Sequence, residues 1–157
     1  MPKIKPIDLV GVVRSARTEG EERLRKPYWG DVVSRIELDP EVFEPSATTG
    51  LSDFSHVEVV YSFHLADRVC RSAQHPRGNR AWPAVGILAQ RDPARPNHIG
   101  ISVCELVSAD GLTITVRGLD AVDGTPVLDV KPYRQGFAPR GSVREPQWSL
   151  ELMNGYF

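Results

Sequence analysis

Three short stretches of the chain carry side chains suited to binding or chemistry. The first is the polar loop Gln90-Arg91-Asp92-Pro93-Ala94-Arg95-Pro96-Asn97-His98, set between the apolar runs Val85 to Ala89 and Ile99 to Val103. Its two guanidinium groups suit an anionic ligand. Pro93 and Pro96 fix their own dihedrals and push the preceding residues towards extended backbone, so the loop is expected to be rigid. A solvated surface hairpin is the competing reading of the same residues. The second stretch, Asp123-Gly124-Thr125-Pro126, offers a carboxylate, a hydroxyl and exposed backbone amides; it is also a good turn. The third is His64, which closes a segment of alternating polarity that begins at His56. A lone histidine at a strand end reads either as a hydrogen-bonded structural residue or as a proton acceptor. His56 shares its face but stands about 26 Å away at roughly 3.3 Å per residue, so the pair cannot chelate one metal. Tyr28 and Trp29 are either core aromatics under a loop or a stacking platform for a flat ligand.

The bulk composition narrows the setting for these residues. A chain of 157 residues supports one domain with a real core, and 41% hydrophobic with 25% charged residues is ordinary for a globular protein. The net charge of -1 gives no global footprint for nucleic acid. A local one exists, since Arg68, Arg71, Arg77, Arg80 and Arg91 follow one another with no acid between Asp67 and Asp92. Cys70 and Cys104 lack Cys-x-x-Cys spacing, which argues against a disulfide framework or a zinc site. Reduced thiols, an N-terminus without a signal-peptide core and no long apolar run place the chain in the cytoplasm, away from the membrane.

The elements that must position the candidates follow from periodicity. Strands are expected at Ile7 to Arg14, Val32 to Leu38, His56 to His64, Val85 to Ala89, Ile99 to Leu106, Leu112 to Gly118 and Pro126 to Tyr133. The clearest alternation puts Val57, Val59, Tyr61 and Phe63 on one face. Asp110-Gly111 between apolar runs signals a hairpin. A short helix is expected from Asp39-Pro40-Glu41 to Gly50 and another from Glu145, with Pro146 in its first turn, Trp148 and Leu152 facing inward, and Gly155 as its stop. Ser15 to Lys26 reads as a mobile charged loop. Many short strands with few helices point to an all-β fold, a barrel or a sandwich, in a single domain over residues 1–157.

Taken together, the motifs resemble the TsaA-like, TrmO-type family of S-adenosylmethionine-dependent tRNA methyltransferases. The resemblance rests on Ile7 to Ser15, Gly50-Leu51 with Phe54-Ser55-His56, Phe63-His64, His75-Pro76-Arg77-Gly78, Arg91 with Arg95-Pro96-Asn97 and Ile99-Gly100, and Leu119 to Tyr133. Several motifs in one order are far more specific than any alone. The resemblance implies a small, mostly antiparallel β-barrel with short peripheral helices and a homodimer. It implies an S-adenosylmethionine pocket drawing on Phe63, His64, Arg91, Asp123, Gly124, Thr125 and Pro126, with Trp29 and Ser102 beside them. His64 is the candidate catalytic residue, and Arg77, Arg95 and Asn97 are candidates for the substrate side. The implied acceptor is threonylcarbamoyl-adenosine beside the tRNA anticodon. The alternatives are a different small-molecule acceptor and a non-catalytic nucleotide- or RNA-binding barrel. A cupin-like metal enzyme would need a His-x-His with a downstream Glu, which the chain lacks, so no metal is expected. No Gly-x-Gly-x-x-Gly follows a strand, which disfavours a Rossmann enzyme. The chain departs from the family pattern where His98 stands in place of a proline, and it matches a compact branch ending near Phe157 without a further C-terminal domain.

Overall fold

The computed structural model describes residues 5–18 and 29–157. Six strands close into an antiparallel barrel: β1 (Gly11–Ser15), β2 (Val33–Leu38), β3 (His56–Ser62), β6 (Ile99–Asp110), β7 (Thr113–Arg117) and β8 (Pro126–Pro132), in the spatial order β1-β2-β7-β6-β3-β8. Closure leaves the barrel without a free edge along most of its length. The short strands β4 (Ala73–Gln74) and β5 (Val85–Gly86) form a separate two-stranded sheet, and α1 (Gln147–Met153) is the only α-helix among the described residues. The expected all-β barrel with short peripheral helices is therefore what the chain forms.

Period-2 alternation fills the barrel. Val57, Val59 and Tyr61 of β3 point inward beside Val13, Ile36, Ile114, Val116 and Val127, all essentially inaccessible to water. Full burial of such side chains stabilises the fold by about 1.5–3 kcal/mol each before entropy is counted. Strand β6 is inverted in its first half: Gly100, Ser102 and Cys104 face inward, while Ile99, Ile101 and Val103 face out. Gly100 lies opposite Tyr61 across the β3–β6 pair, where the absent side chain makes room for the Tyr61 ring.

Several boundaries differ from expectation. β1 begins at Gly11, and residues 7–10 precede the ladder. The helix expected over Asp39 to Gly50 is absent. The Asp39 carboxylate accepts the Glu41 N–H at 2.8 Å, which turns the chain, and 3₁₀ turns at Pro45–Thr48 and Leu51–Asp53 follow. The run Val85 to Ala89 splits into β5 and a 3₁₀ turn at Ile87–Ala89; β5 pairs with β4, so the arginine loop does not join a hairpin to β6. Most of the expected mobile loop, together with Tyr28, lies outside the described residues. No helix is long and apolar enough to cross a membrane among the described residues.

Candidate functional site

One end of the barrel opens into a cavity of about 310 Å³. Four chain segments build it. Tyr61 and the turn Phe63 to Asp67 come from the exit of β3; Asp120, Ala121, Val122 and Thr125 come from the β7–β8 connection; Trp29 precedes β2, and Pro93 stands at the near side of the arginine loop. Local backbone bonds shape the β3 exit: the Phe63 N–H donates to the His98 carbonyl at 2.7 Å, and the Ala66 N–H donates to Phe63 at 3.0 Å. The connection before β8 is tied to β1 through Gly124 N–H to Val13 carbonyl at 2.9 Å and Thr125 carbonyl accepting from Val13 N–H at 2.9 Å. Gly124 sits at φ 79°, and a Cβ there would stand 3.9 Å from His64 Nε2. The positive φ is the reason for glycine at this position.

Aromatic faces and carboxylates dominate the lining. Tyr61 and Phe63 meet edge to face at 5.4 Å, and the Tyr61 and Ser102 hydroxyls share a buried hydrogen bond at 3.2 Å. Asp67 and Asp120 are the acids of the wall among the described residues, and none of the described lysines or arginines lines it. Tyr156, far along the chain, donates its hydroxyl to Asp120. Burial, and then the Asp120 charge, push the Tyr61 phenol well above its ordinary range. The same causes raise the Cys104 thiol to about 12. Tyr156 is raised by burial and by Asp120 as well.

The expected site residues divide into two groups. Trp29, Phe63, His64 and Thr125 line the cavity together, Gly124 backs onto His64, and Ser102 supports Tyr61 from inside the barrel. Pro126 opens β8 opposite Val12. The other group points elsewhere. Asp123 accepts the Ser15 N–H at 3.0 Å and faces a separate shallow concavity with Arg14, Val33 and Arg35. Arg91 does not line the cavity; its Nη2 donates to the Ile101 carbonyl at 2.6 Å. Arg95 donates to the Gln90 carbonyl at 3.0 Å, Asn97 is exposed, and the Arg77 guanidinium lies 5.6 Å over the Tyr156 ring. Asp120, Asp67 and Tyr61 belong to the site but were not singled out. Asp120 precedes the Asp123 to Pro126 turn in sequence, and Tyr61 shares the alternating face of β3, where it is also part of the core. His98 adopts φ 50°, a conformation closed to the proline that the family pattern carries there, so this loop has its own course. Among the described residues, no three His, Cys, Asp or Glu side chains gather as metal ligands.

The family model for the tRNA-methyltransferase O N-terminal domain matches residues 12–138. The chain belongs to the TrmO family. A relative from Methanothermobacter thermautotrophicus, named "Probable S-adenosyl-L-methionine-binding protein", is 42% identical over 132 residues, covering 83% of this chain and 89% of the relative. The human tRNA (adenine(37)-N6)-methyltransferase is 38% identical over 107 residues, 67% of this chain and 24% of the human protein. A crystal structure of TrmO superposes with a TM-score of 0.73 at 30% identity, covering 91% of this chain and 64% of the solved one. The chain thus spans most of the archaeal relative and just under two thirds of the solved TrmO chain.

Proposed function

We propose that the chain is an S-adenosylmethionine-dependent methyltransferase acting on tRNA, and that its acceptor is the exocyclic nitrogen of threonylcarbamoyl-adenosine beside the anticodon. The observation that carries the reading is the cavity: aromatic rings of Trp29, Tyr61 and Phe63 and carboxylates of Asp67 and Asp120 gather around one space. Its volume falls in the roughly 300–1,000 Å³ range of small-molecule sites. Aromatic faces and acids fit a cationic nucleoside. Family membership supports the same choice.

When bound, S-adenosylmethionine supplies an electrophilic methyl group on a positively charged sulfur. The chain's own contribution is placement, because a methyl transfer needs an in-line approach more than covalent help. Trp29, Tyr61 and Phe63 give the cavity an aromatic side, and Thr125 adds a hydroxyl from a rigid turn. As the acceptor nitrogen bonds the methyl carbon, the carbon–sulfur pair passes to sulfur and the nitrogen must lose a proton. His64 lines the cavity and is exposed, which supports its Nε2 as the group that takes that proton. Arg77, Arg95 and Asn97, with Arg68, Arg71 and Arg80 of the same arginine-rich run, would contact the RNA, the arginines through its phosphates. A homodimer is part of the proposal; the outward apolar stripe of Ile99, Ile101 and Val103, the last two 42% and 49% exposed, supports a pairing face.

The test is transfer of labelled methyl groups to total tRNA from cells lacking the protein, followed by nucleoside mass spectrometry. The expected product is threonylcarbamoyl-adenosine heavier by one methyl group. Label on another nucleoside refutes the acceptor, and S-adenosylmethionine binding without any transfer refutes the enzyme.

A further inference from the structure

The wall of the cavity contains a carboxylate whose partner comes from the far end of the chain. Tyr156 lies beyond residues 12–138, the span matched to the family, yet its hydroxyl donates to Asp120. The segment carrying it is anchored on several sides. The Tyr156 carbonyl accepts the Trp29 N–H at 2.8 Å, its ring faces Arg77, and the Trp82 indole N–H donates to Glu151 of α1 at 2.8 Å. The end of the chain is therefore built into the cavity wall, touching two of the elements that form it.

An ionised carboxylate is an acceptor only, and one oxygen of Asp120 is committed to the phenol. A phenol hydrogen bond of this kind holds both the rotamer and the charge of the acid. The charge matters because the wall is partly dehydrated, and a fixed charge acts more strongly there than in water. Its influence already reaches Tyr61 and Cys104, whose protons it helps retain.

We propose that Tyr156 is a positioning residue for donor selectivity: its hydroxyl fixes the Asp120 carboxylate in the cavity wall, and that carboxylate favours the positively charged sulfonium of S-adenosylmethionine over the neutral thioether left after transfer. The inference rests on the cofactor reading above. It assigns a task to a segment that the family match does not include, and it gives the product a reason to leave.

Calorimetric titration with S-adenosylmethionine and S-adenosylhomocysteine tests it, because the two ligands differ only in the methyl group and the charge on sulfur. Wild-type protein, Tyr156→Phe, Asp120→Asn and the double variant are compared, each checked for an unchanged fold by thermal melting. Tyr156→Phe keeps the ring over Arg77 and the backbone bond to Trp29. The expected result is a preference for the charged ligand in the wild type that falls about tenfold in Asp120→Asn and several-fold in Tyr156→Phe, with product affinity nearly constant. Adding Tyr156→Phe to Asp120→Asn should change nothing further. A parallel loss of both ligands in Tyr156→Phe would make the residue merely structural, and an unchanged ratio in Asp120→Asn would show that the acid does not sense the sulfonium. Either overturns the inference while leaving the cofactor reading intact; a wild-type protein that binds neither ligand overturns both.

Discussion

Gly100→Ala is the smallest change that should disturb both the core and the cavity. A Cβ on residue 100 would stand 2.5 and 2.6 Å from ring carbons of Tyr61 and 2.9 Å from Cζ of Phe63. Carbon atoms prefer about 3.5–4.0 Å, so the Tyr61 ring must retreat by roughly 1 Å. It has nowhere to go: Tyr61 is 1% exposed, stacked edge to face on Phe63 and hydrogen-bonded to Ser102. Overpacking of this kind costs about 1–3 kcal/mol, and weakening the aromatic pair and the hydroxyl bond adds about 1 kcal/mol. A total of about 2–4 kcal/mol lowers the midpoint by roughly 5–12 °C for a chain of this size. Differential scanning calorimetry gives the midpoint. Because both rings line the cavity, S-adenosylmethionine affinity measured by titration calorimetry should fall by at least about tenfold. Trimming Tyr61→Leu in the Gly100→Ala background should recover part of the stability but not the affinity. A Gly100→Ala variant that melts and binds like the wild type would refute the account of how β3 and β6 build this end of the barrel.

Other changes separate the roles assigned above. Cys104 keeps its proton to about pH 12 in the folded chain, whereas a thiol in the unfolded chain loses it near 9. The native state then holds the extra proton, so stability present below pH 9 declines by up to ~1.4 kcal/mol per pH unit above it, and urea melts from pH 8 to 10.5 should show a flatter decline in Cys104→Ala. Arg91→Ala removes the bond to Ile101 but no cavity wall; stability should drop by about 1 kcal/mol in urea melts while cofactor affinity stays within about twofold. His64→Gln should lower the methyl-transfer rate by ~10²-fold or more, with S-adenosylmethionine binding little changed. Loss of binding in that variant would make His64 a cofactor contact instead.

The fold was legible where alternation was long and the turn chemistry explicit. His56 to Phe63 shows period-2 alternation over a full strand, and Asp110-Gly111 sits where β6 turns into β7. Legibility failed where the apolar run was short. Val85 to Ala89 has the composition of a strand but too few residues to tell a strand from a 3₁₀ turn, and its partner Ala73-Gln74 carries no alternation at all. Asp39 to Gly50 failed for a different reason: Asp and Pro open helices and turns alike, and here the Asp39 carboxylate closes a turn on Glu41. The site shows the same division. Phe63-His64 and Gly124-Thr125 are local motifs whose neighbourhood follows from the hairpin order of the barrel. The Asp120–Tyr156 bond spans 36 residues, and nothing local to either residue announces it.

The arginine loop shows how guanidinium groups in a candidate binding motif can be engaged by the fold itself. The first half of β6, Ile99 to Cys104, pairs with β3 alone, because β7 covers only Glu105 to Asp110. The Ile101 carbonyl therefore needs a partner that no strand supplies, and Arg91 supplies it. The rest of the loop is spent on holding its own shape. Asp92 accepts the Ala94 N–H at 2.7 Å, His98 Nδ1–H donates to the Pro93 carbonyl at 2.9 Å, Arg95 reaches back to Gln90, and the Gln90 amide donates to Gln74 and Val85. What this network presents to the cavity is Pro93, an apolar residue with a fixed backbone. Two guanidinium groups beside two prolines look like an anion clasp in sequence because charge is visible there and hydrogen-bond partners are not. In the folded chain one donor of each goes to a carbonyl oxygen, and among the described residues acids and aromatic rings line the cavity in their place.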